Sequence, residues 1–182
     1  MAEKKPEKPA YWAPKAGERG MNELHFAAYC GDAEGVQTAL AEGLDVDGQD
    51  DNGYTALHWN ADMGCTPGDR EEIVKILLAH GAAIETRDSM GRTALFVAAS
   101  SGSGQIVRAL VLAGADVNGR SNSGATPLML AASSGSLDAV TFLLAGGADA
   151  NAFTPDGTTA MDMAMGAEFE DVVEVLRVRC EN

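Results

Sequence analysis

Aromatic residues make up only 5% of the chain. That excludes a core built on ring stacking. Apolar residues still reach 46%, so the core must come from Ala, Leu, Val and Met. Basic residues are also scarce. There are 13 Lys and Arg against 27 Asp and Glu, a formal net charge of -14. Phosphate backbones are held by clustered Lys and Arg, so the composition argues against nucleic acid as a partner. The same charge disfavours anionic membrane surfaces and permits a basic protein. No apolar run approaches the roughly 20 residues needed to span a bilayer. The N-terminal stretch MAEKKPEKPAYWAPKAGERG has no apolar segment and does not read as a secretory signal. Cys30, Cys65 and Cys180 are odd in number and far apart. They make no disulfide framework, and a reducing, cytoplasmic compartment fits them better. Catalytic signatures are missing too: there is no G-x-S-x-G, no phosphate loop, no H-E-x-x-H and no Cys-x-x-Cys.

What the chain has in quantity is glycine, 21 residues without collagen periodicity, which signals many turns. The glycines keep time. GYTALHWNADMG from Gly53, GRTALFVAASSG from Gly91 and GATPLMLAASSG from Gly124 align, and each is followed by an apolar run such as IVKILLAHGAAIE or AVTFLLAGGADAN. Leading glycines stand at Gly20, Gly53, Gly91, Gly124 and Gly157. Their spacing is about 33 residues, apart from an insertion of about five placed within Cys65 to Arg70. In the fullest unit, Thr126 suits a helix N-cap and Pro127 the first helical position. Gly135 ends that helix where a left-handed residue is useful. Leu137 to Ala145 forms a second helix with Val140, Leu143 and Leu144 on one face. Asp69 with Glu72 reads as a capping-box pair that starts the helix after the insertion, and Thr66-Pro67 is a second start signal.

A unit of G-x-T-P-L-x-x-A-A-x-x-G, an apolar run and G-A-D-V-N resembles the ankyrin repeat. The resemblance covers residues 20 to about 179. It implies an all-α solenoid of helix–turn–helix units joined by hairpin-like fingers. The expected organisation is a Lys/Pro-rich tail, 1–19, and a repeat domain, 20–182, with units near 20–49, 50–87, 88–120, 121–153 and 154–182. The end units read as caps, because Gly35, Gln37 and Thr38 dilute the apolar stripe in the first. In the last, Arg177 stands where inner units have Val111 or Leu144.

His58, in TALHWNA, has two readings. The resemblance implies scaffolding, a histidine that hydrogen-bonds backbone and threonine across units; the alternative is a metal- or redox-dependent sensor or enzyme with Asp62 and Cys65. His25, Phe96, Met129 and Asp162 stand at the same rank. Helices 8–10 Å apart keep His25 and His58 from sharing one metal ion. Asn60 replaces an alanine seen at Ala98, Ala131 and Ala164, so its amide needs partners, which the nearby insertion can supply; a functional spot and local repacking both remain open. Asp45, Asp116 and Asp149 recur as loop structure.

The resemblance further implies a non-enzymatic module, with no cofactor or metal, that binds a protein through its concave face and finger loops. Interface energy concentrates in aromatic, Met and Arg anchors. The expected contacts are therefore Tyr54, Met90, Arg92, Arg120 and Phe153, then Trp59, with Asp51, Asn52, Arg87 and Asp156 beside them. The surplus of acid points to a basic partner and to an inhibitor or immunity-type role. The chain is expected to be a monomer when unbound. A structural adaptor whose tail docks separately through Tyr11 and Trp12 is a further alternative.

Overall fold

The structure is a computed structural model that describes residues 18–62 and 69–180. The expectations for the tail up to residue 17, for Cys65 and for Thr66-Pro67 lie outside the described residues. Helices succeed one another in pairs: α1 (Glu23–Cys30) with α2 (Ala33–Ala41), α3 (Ala56–Ala61) with α4 (Arg70–Ala79), and α5 (Ala94–Ser100) with α6 (Gly104–Leu112). Then follow α7 (Pro127–Ser133) with α8 (Leu137–Ala145), and α9 (Ala160–Gly166) with α10 (Glu170–Cys180). First helices stack in the order α1, α3, α5, α7, α9, and second helices stack behind them. This is an all-α solenoid. No helix among the described residues is long and apolar enough to cross a membrane.

Local chemistry repeats with the units. Asn22, Thr55, Thr93, Thr126 and Thr159 are the extended N-cap residues of the five first helices. Pro127 fills the first turn of α7, where its missing N–H costs nothing. The second helices bury one stripe each: Ile73, Val74 and Leu77; Ile106, Val107 and Leu110; Ala139, Val140 and Leu143. The first and last second helices bury thinner stripes. α2 buries only Val36 and Ala39, and Arg177 on α10 is exposed.

The fingers are tied to one another by a ladder of single backbone bonds. Asp51 N–H donates to Arg19 O at 2.9 Å, Ser89 N–H to Asn52 O at 3.0 Å and Asn122 N–H to Met90 O at 2.9 Å. Gly91 takes φ 73° beside this ladder, and a Cβ there would overlap the Asn122 side chain. Glycine is the residue that tolerates both demands. Pro155 stands at the rank of Asp51, Ser89 and Asn122. Lacking an N–H, it lays its ring on Gly124 instead.

One start signal behaves differently from its sequence reading. Asp69 does occupy the N-cap of α4, but its carboxylate makes no capping bond. Glu72 pairs with Lys75 at 3.3 Å rather than reaching back. The insertion holds the helix start in another way, through Arg70.

Candidate protein-binding face

The scaffold around His58 comes first, because it fixes which side chains are available. Thr55 N–H donates to His58 Nδ1 at 3.2 Å, and Thr55 Oγ1 lies 2.9 Å from the same nitrogen. Nδ1 is therefore the acceptor, and the proton sits on Nε2, which donates to Arg92 O at 3.0 Å in the next unit. His25 caps its helix in the same way one unit earlier, accepting from Asn22 N–H, while its Nε2 meets Gly48 O at 2.8 Å within its own unit. The scaffolding reading of His58 is what the geometry supports, and neither nitrogen is left for a metal. Among the described residues no group of three or more His, Cys, Asp or Glu is placed to hold one. Asp62 is half-buried at the end of α3, and burial raises its carboxyl above the usual range.

Burial pulls the His58 imidazole below its ordinary 6.5. The folded protein keeps it neutral while the unfolded chain takes up a proton near that value. Below about pH 6.5 the unfolded state binds more protons, so stability falls as pH drops and is level above. Urea midpoints between about pH 7.5 and pH 5.5 are expected to decline on the acid side. The variant His58→Phe, carrying the residue found at Phe96, should lose that part of the slope. An unchanged slope in the variant would show that His58 does not titrate this way.

Next to His58 sits a cluster that absorbs several expected contact residues. The Tyr54 ring stacks on His58 at 5.3 Å and meets Trp59 edge-on at 5.1 Å. Trp59 also meets Tyr29 at 5.4 Å and donates its indole N–H to Asp50 Oδ2 at 3.1 Å. Only 5% of Trp59 is exposed. It is therefore corrected from an anchor to a packing residue: its ring is sandwiched and its one polar atom is spent. Arg92 donates from Nε to Asp88 Oδ2 at 2.7 Å and from Nη2 to Tyr54 Oη at 2.8 Å. Its charge is matched and Tyr54's hydroxyl is used. Burial raises the Tyr54 phenol, which keeps that hydroxyl protonated.

Arg87 and Arg120 are exposed but are not free either. Gln49 Nε2 donates to Gly53 O and Arg87 O, Arg87 Nη1 to Gly91 O and Arg120 O, and Arg120 Nη1 to Gly124 O and Phe153 O, all within 2.7–3.2 Å. These side chains clip each finger to the next. Phe153 holds the same rank in the last finger, where it stands 62% exposed. Met90 is 57% exposed, and Asp51, Asn52 and Asp156 are exposed finger residues. Asp156 accepts from the hydroxyls of Thr154 and Thr158, which hold its carboxyl below the usual carboxylate range.

Sequence reasoning missed the role of Arg70. Its Nη1 donates to Asn60 O at 2.7 Å and lies 3.4 Å from Asp62 O, and Nη2 donates to Tyr29 O at 3.0 Å. Asn60 Nδ2 returns a bond to Arg70 O at 3.0 Å. Arg70 thus supplies a partner for the odd amide, while Asn60 Oδ1 finds none among the described residues.

Finger tips and first helices share one face, and it contains a cleft of about 650 Å³. Ser89, Met90, Asn122 and Ser123 of the fingers wall it, with Phe96, Leu130 and Met163 of the first helices below. Leu130 and Met163 are half-buried floor residues that sequence reasoning did not single out.

Stacked helix pairs, clipped fingers and an open finger–helix face define a repeat scaffold of the recognition type. A family model described as ankyrin repeats, three copies, matches residues 24–121 and 104–181. The chain belongs to the ankyrin-repeat family, whose repeats generally mediate protein–protein interaction. It is similar to two proteins of Arabidopsis thaliana. Calmodulin-binding transcription activator 3 is 44% identical over 66 residues, 36% of this chain and 6% of that protein. Calmodulin-binding transcription activator 4 is 35% identical over 85 residues, 43% of this chain and 8% of that protein. The matches cover a small part of each relative's length.

Proposed function

We propose that this chain is a non-enzymatic binding module. It holds a basic protein against its concave face, is monomeric until it does so, and inhibits by covering the partner's surface. The observation that carries this is the state of its cations. Eight Lys and Arg follow residue 19. Lys75 pairs with Glu72, Arg92 with Asp88, Arg108 with Glu71 and Arg177 with Glu174. Arg70, Arg87 and Arg120 are turned onto backbone carbonyls. Arg179 is the remaining one. The acidic majority is left to face a partner, and the preformed helices hold the fingers at little ordering cost.

A pull-down from native lysate tests this reading. The intact chain is compared with a Met90→Asp, Ser123→Arg variant and with Leu112→Asp, where Leu112 is 75% exposed on the second-helix side. The finger variant should lose the captured protein, and the Leu112 variant should keep it. Association with that protein should slow at least tenfold between low and physiological salt. Capture unaffected by the finger variant would overturn the assignment of the face, and a salt-independent rate would overturn the basic partner.

A further inference from the structure

Four residues hold one rank on the finger side of the groove: Tyr54, Arg92, Ala125 and Thr158. In the second unit Tyr54 covers the helix floor, lying on His58 and Trp59. In the third, Arg92 leans back over the Tyr54 ring, its guanidinium 5.6 Å from the ring centre. In these two units the residues at the floor rank are closed off, with Trp59 at 5% exposure and Val97 at 4%. In the fourth unit the covering side chain is a methyl group. Leu130 and Met163, at the rank of Trp59 and Val97, are left partly open, and Met90 stands over them from the neighbouring finger. The cleft exists because Ala125 does not fill it.

The charge around the cleft is one-sided. Among the described residues Arg92 is the one cation in its lining, and Asp88 holds it at 2.7 Å. Arg120 is folded along its own finger onto Gly124 O and Phe153 O. The next unit carries Asp156 on its finger and Asp162 on its first helix, both exposed. Bonds from Thr154 and Thr158 to the first, and from Thr159 to the second, keep both carboxyls charged at neutral pH. Two ranks the other way, Asp51 is exposed and Asp62 is half-buried. An apolar hollow is thus flanked along the groove by carboxylates on both sides.

We propose that the cleft opened by Ala125 is a socket for one long apolar side chain of leucine, methionine or phenylalanine size, carried on a lysine- or arginine-bearing segment of the partner. This rests on the reading of the concave face as the docking surface, and it names what that surface selects. The apolar side chain loses water against Leu130, Met163 and Met90. The flanking cations of the segment meet Asp156 and Asp162 on one side and Asp51 on the other. Ser89 and Asn122 at the rim offer neutral hydrogen-bonding groups to its backbone. A segment with acidic flanks meets only repulsion, since the nearby arginines are already engaged.

The test uses the full chain with carbon-13 methyl-labelled methionine, titrated with a short synthetic peptide that has one leucine between paired lysines. Met90 and Met163 methyl signals are expected to shift and saturate, while Met165, on the last helix pair and outside the cleft, stays still. Replacing the peptide's leucine by serine, or its lysines by glutamates, should weaken binding at least tenfold. Ala125→Tyr, which restores the covering ring of the second unit, should abolish the shifts while the Met165 signal stays where it is in the parent. Met90→Ser, at an exposed position that cannot unfold the chain, should weaken them severalfold. Equal binding of the glutamate peptide would overturn the charge selection. Unmoved Met90 and Met163 signals with the lysine–leucine peptide, or equal shifts in Ala125→Tyr, would overturn the socket. The docking face itself stands or falls separately. If Ala125→Tyr still captures the lysate protein that the Met90→Asp, Ser123→Arg variant loses, the face is right and the socket is not.

Discussion

Leu143→Ala is expected to lower the free energy of unfolding by about 2–5 kcal/mol. Leu143 is fully buried on α8, on the stripe it shares with Ala139 and Val140. α8 is packed between α6 on one side and α10 on the other. Removing the side chain loses apolar burial and leaves a hole that two neighbouring units would have to close together. Each unit hides its apolar face only by stacking, so the loss weakens both interfaces at once. Equilibrium urea unfolding measures it as a lower midpoint. Leu112→Ala, at the end of the neighbouring α6 but exposed, serves as the contrast and should stay within about 0.5 kcal/mol of the parent. A loss that small for Leu143→Ala would mean that the buried face of the second helices has been misplaced.

Arg70→Met is expected to cost about 3 kcal/mol. The guanidinium ties together carbonyls at the C-terminal ends of two stacked helices, Tyr29 O of α1 and Asn60 O of α3. Those ends have carbonyls without intrahelical partners and carry the negative end of the helix dipole, so a cation is favoured there. Bonds to a charged group contribute about 1.5–3 kcal/mol each, and a buried carbonyl left without one is penalised further. Methionine keeps most of the apolar stem, so the loss reports the clamp. Arg108→Met is the control. That guanidinium lies 3.9 Å from Glu71 in an exposed pair, worth at most about 1 kcal/mol. Equal losses for the two variants in urea unfolding would remove the clamp from the account.

These two residues mark the limits of what the sequence makes legible. Leu143 was readable because its neighbours recur at helical spacing in several units, and the helix expected from Leu137 to Ala145 is the one found. Thr126, Pro127 and Gly135 are equally local signals, each carried by backbone conformation within a few residues. Arg70 has no counterpart, because it belongs to the insertion that breaks the period. Its partners lie 8, 10 and 41 residues away. Periodicity cannot speak for a contact that occurs once.

The face shows the same division. Met90 and Phe153 were legible as exposed because they sit in fingers without an apolar period. Trp59 was misjudged because the rings that enclose it come from two units, and sequence does not say that Tyr29 and Tyr54 meet there. Arg87 and Arg120 did carry a signal that was open to reading. A long polar side chain that recurs at one rank, as Gln49, Arg87 and Arg120 do, is more simply a part of the repeat than a contact for one partner. Ala125 gives no signal alone. It becomes informative only beside Tyr54 and Arg92, as the methyl group at a rank where the second unit lays a ring on the floor.

Photo-crosslinking within the bound complex tests the central claim most directly. A benzophenone side chain is placed at Ser123 on the rim of the cleft, or at Leu112 on the second-helix side, and the captured partner is irradiated in place. The predicted result is a covalent adduct from position 123, suppressed by Ala125→Tyr, and none from position 112. An adduct formed from position 112 and absent at position 123 would contradict the account, because the partner would then lie on the face that the fingers do not reach.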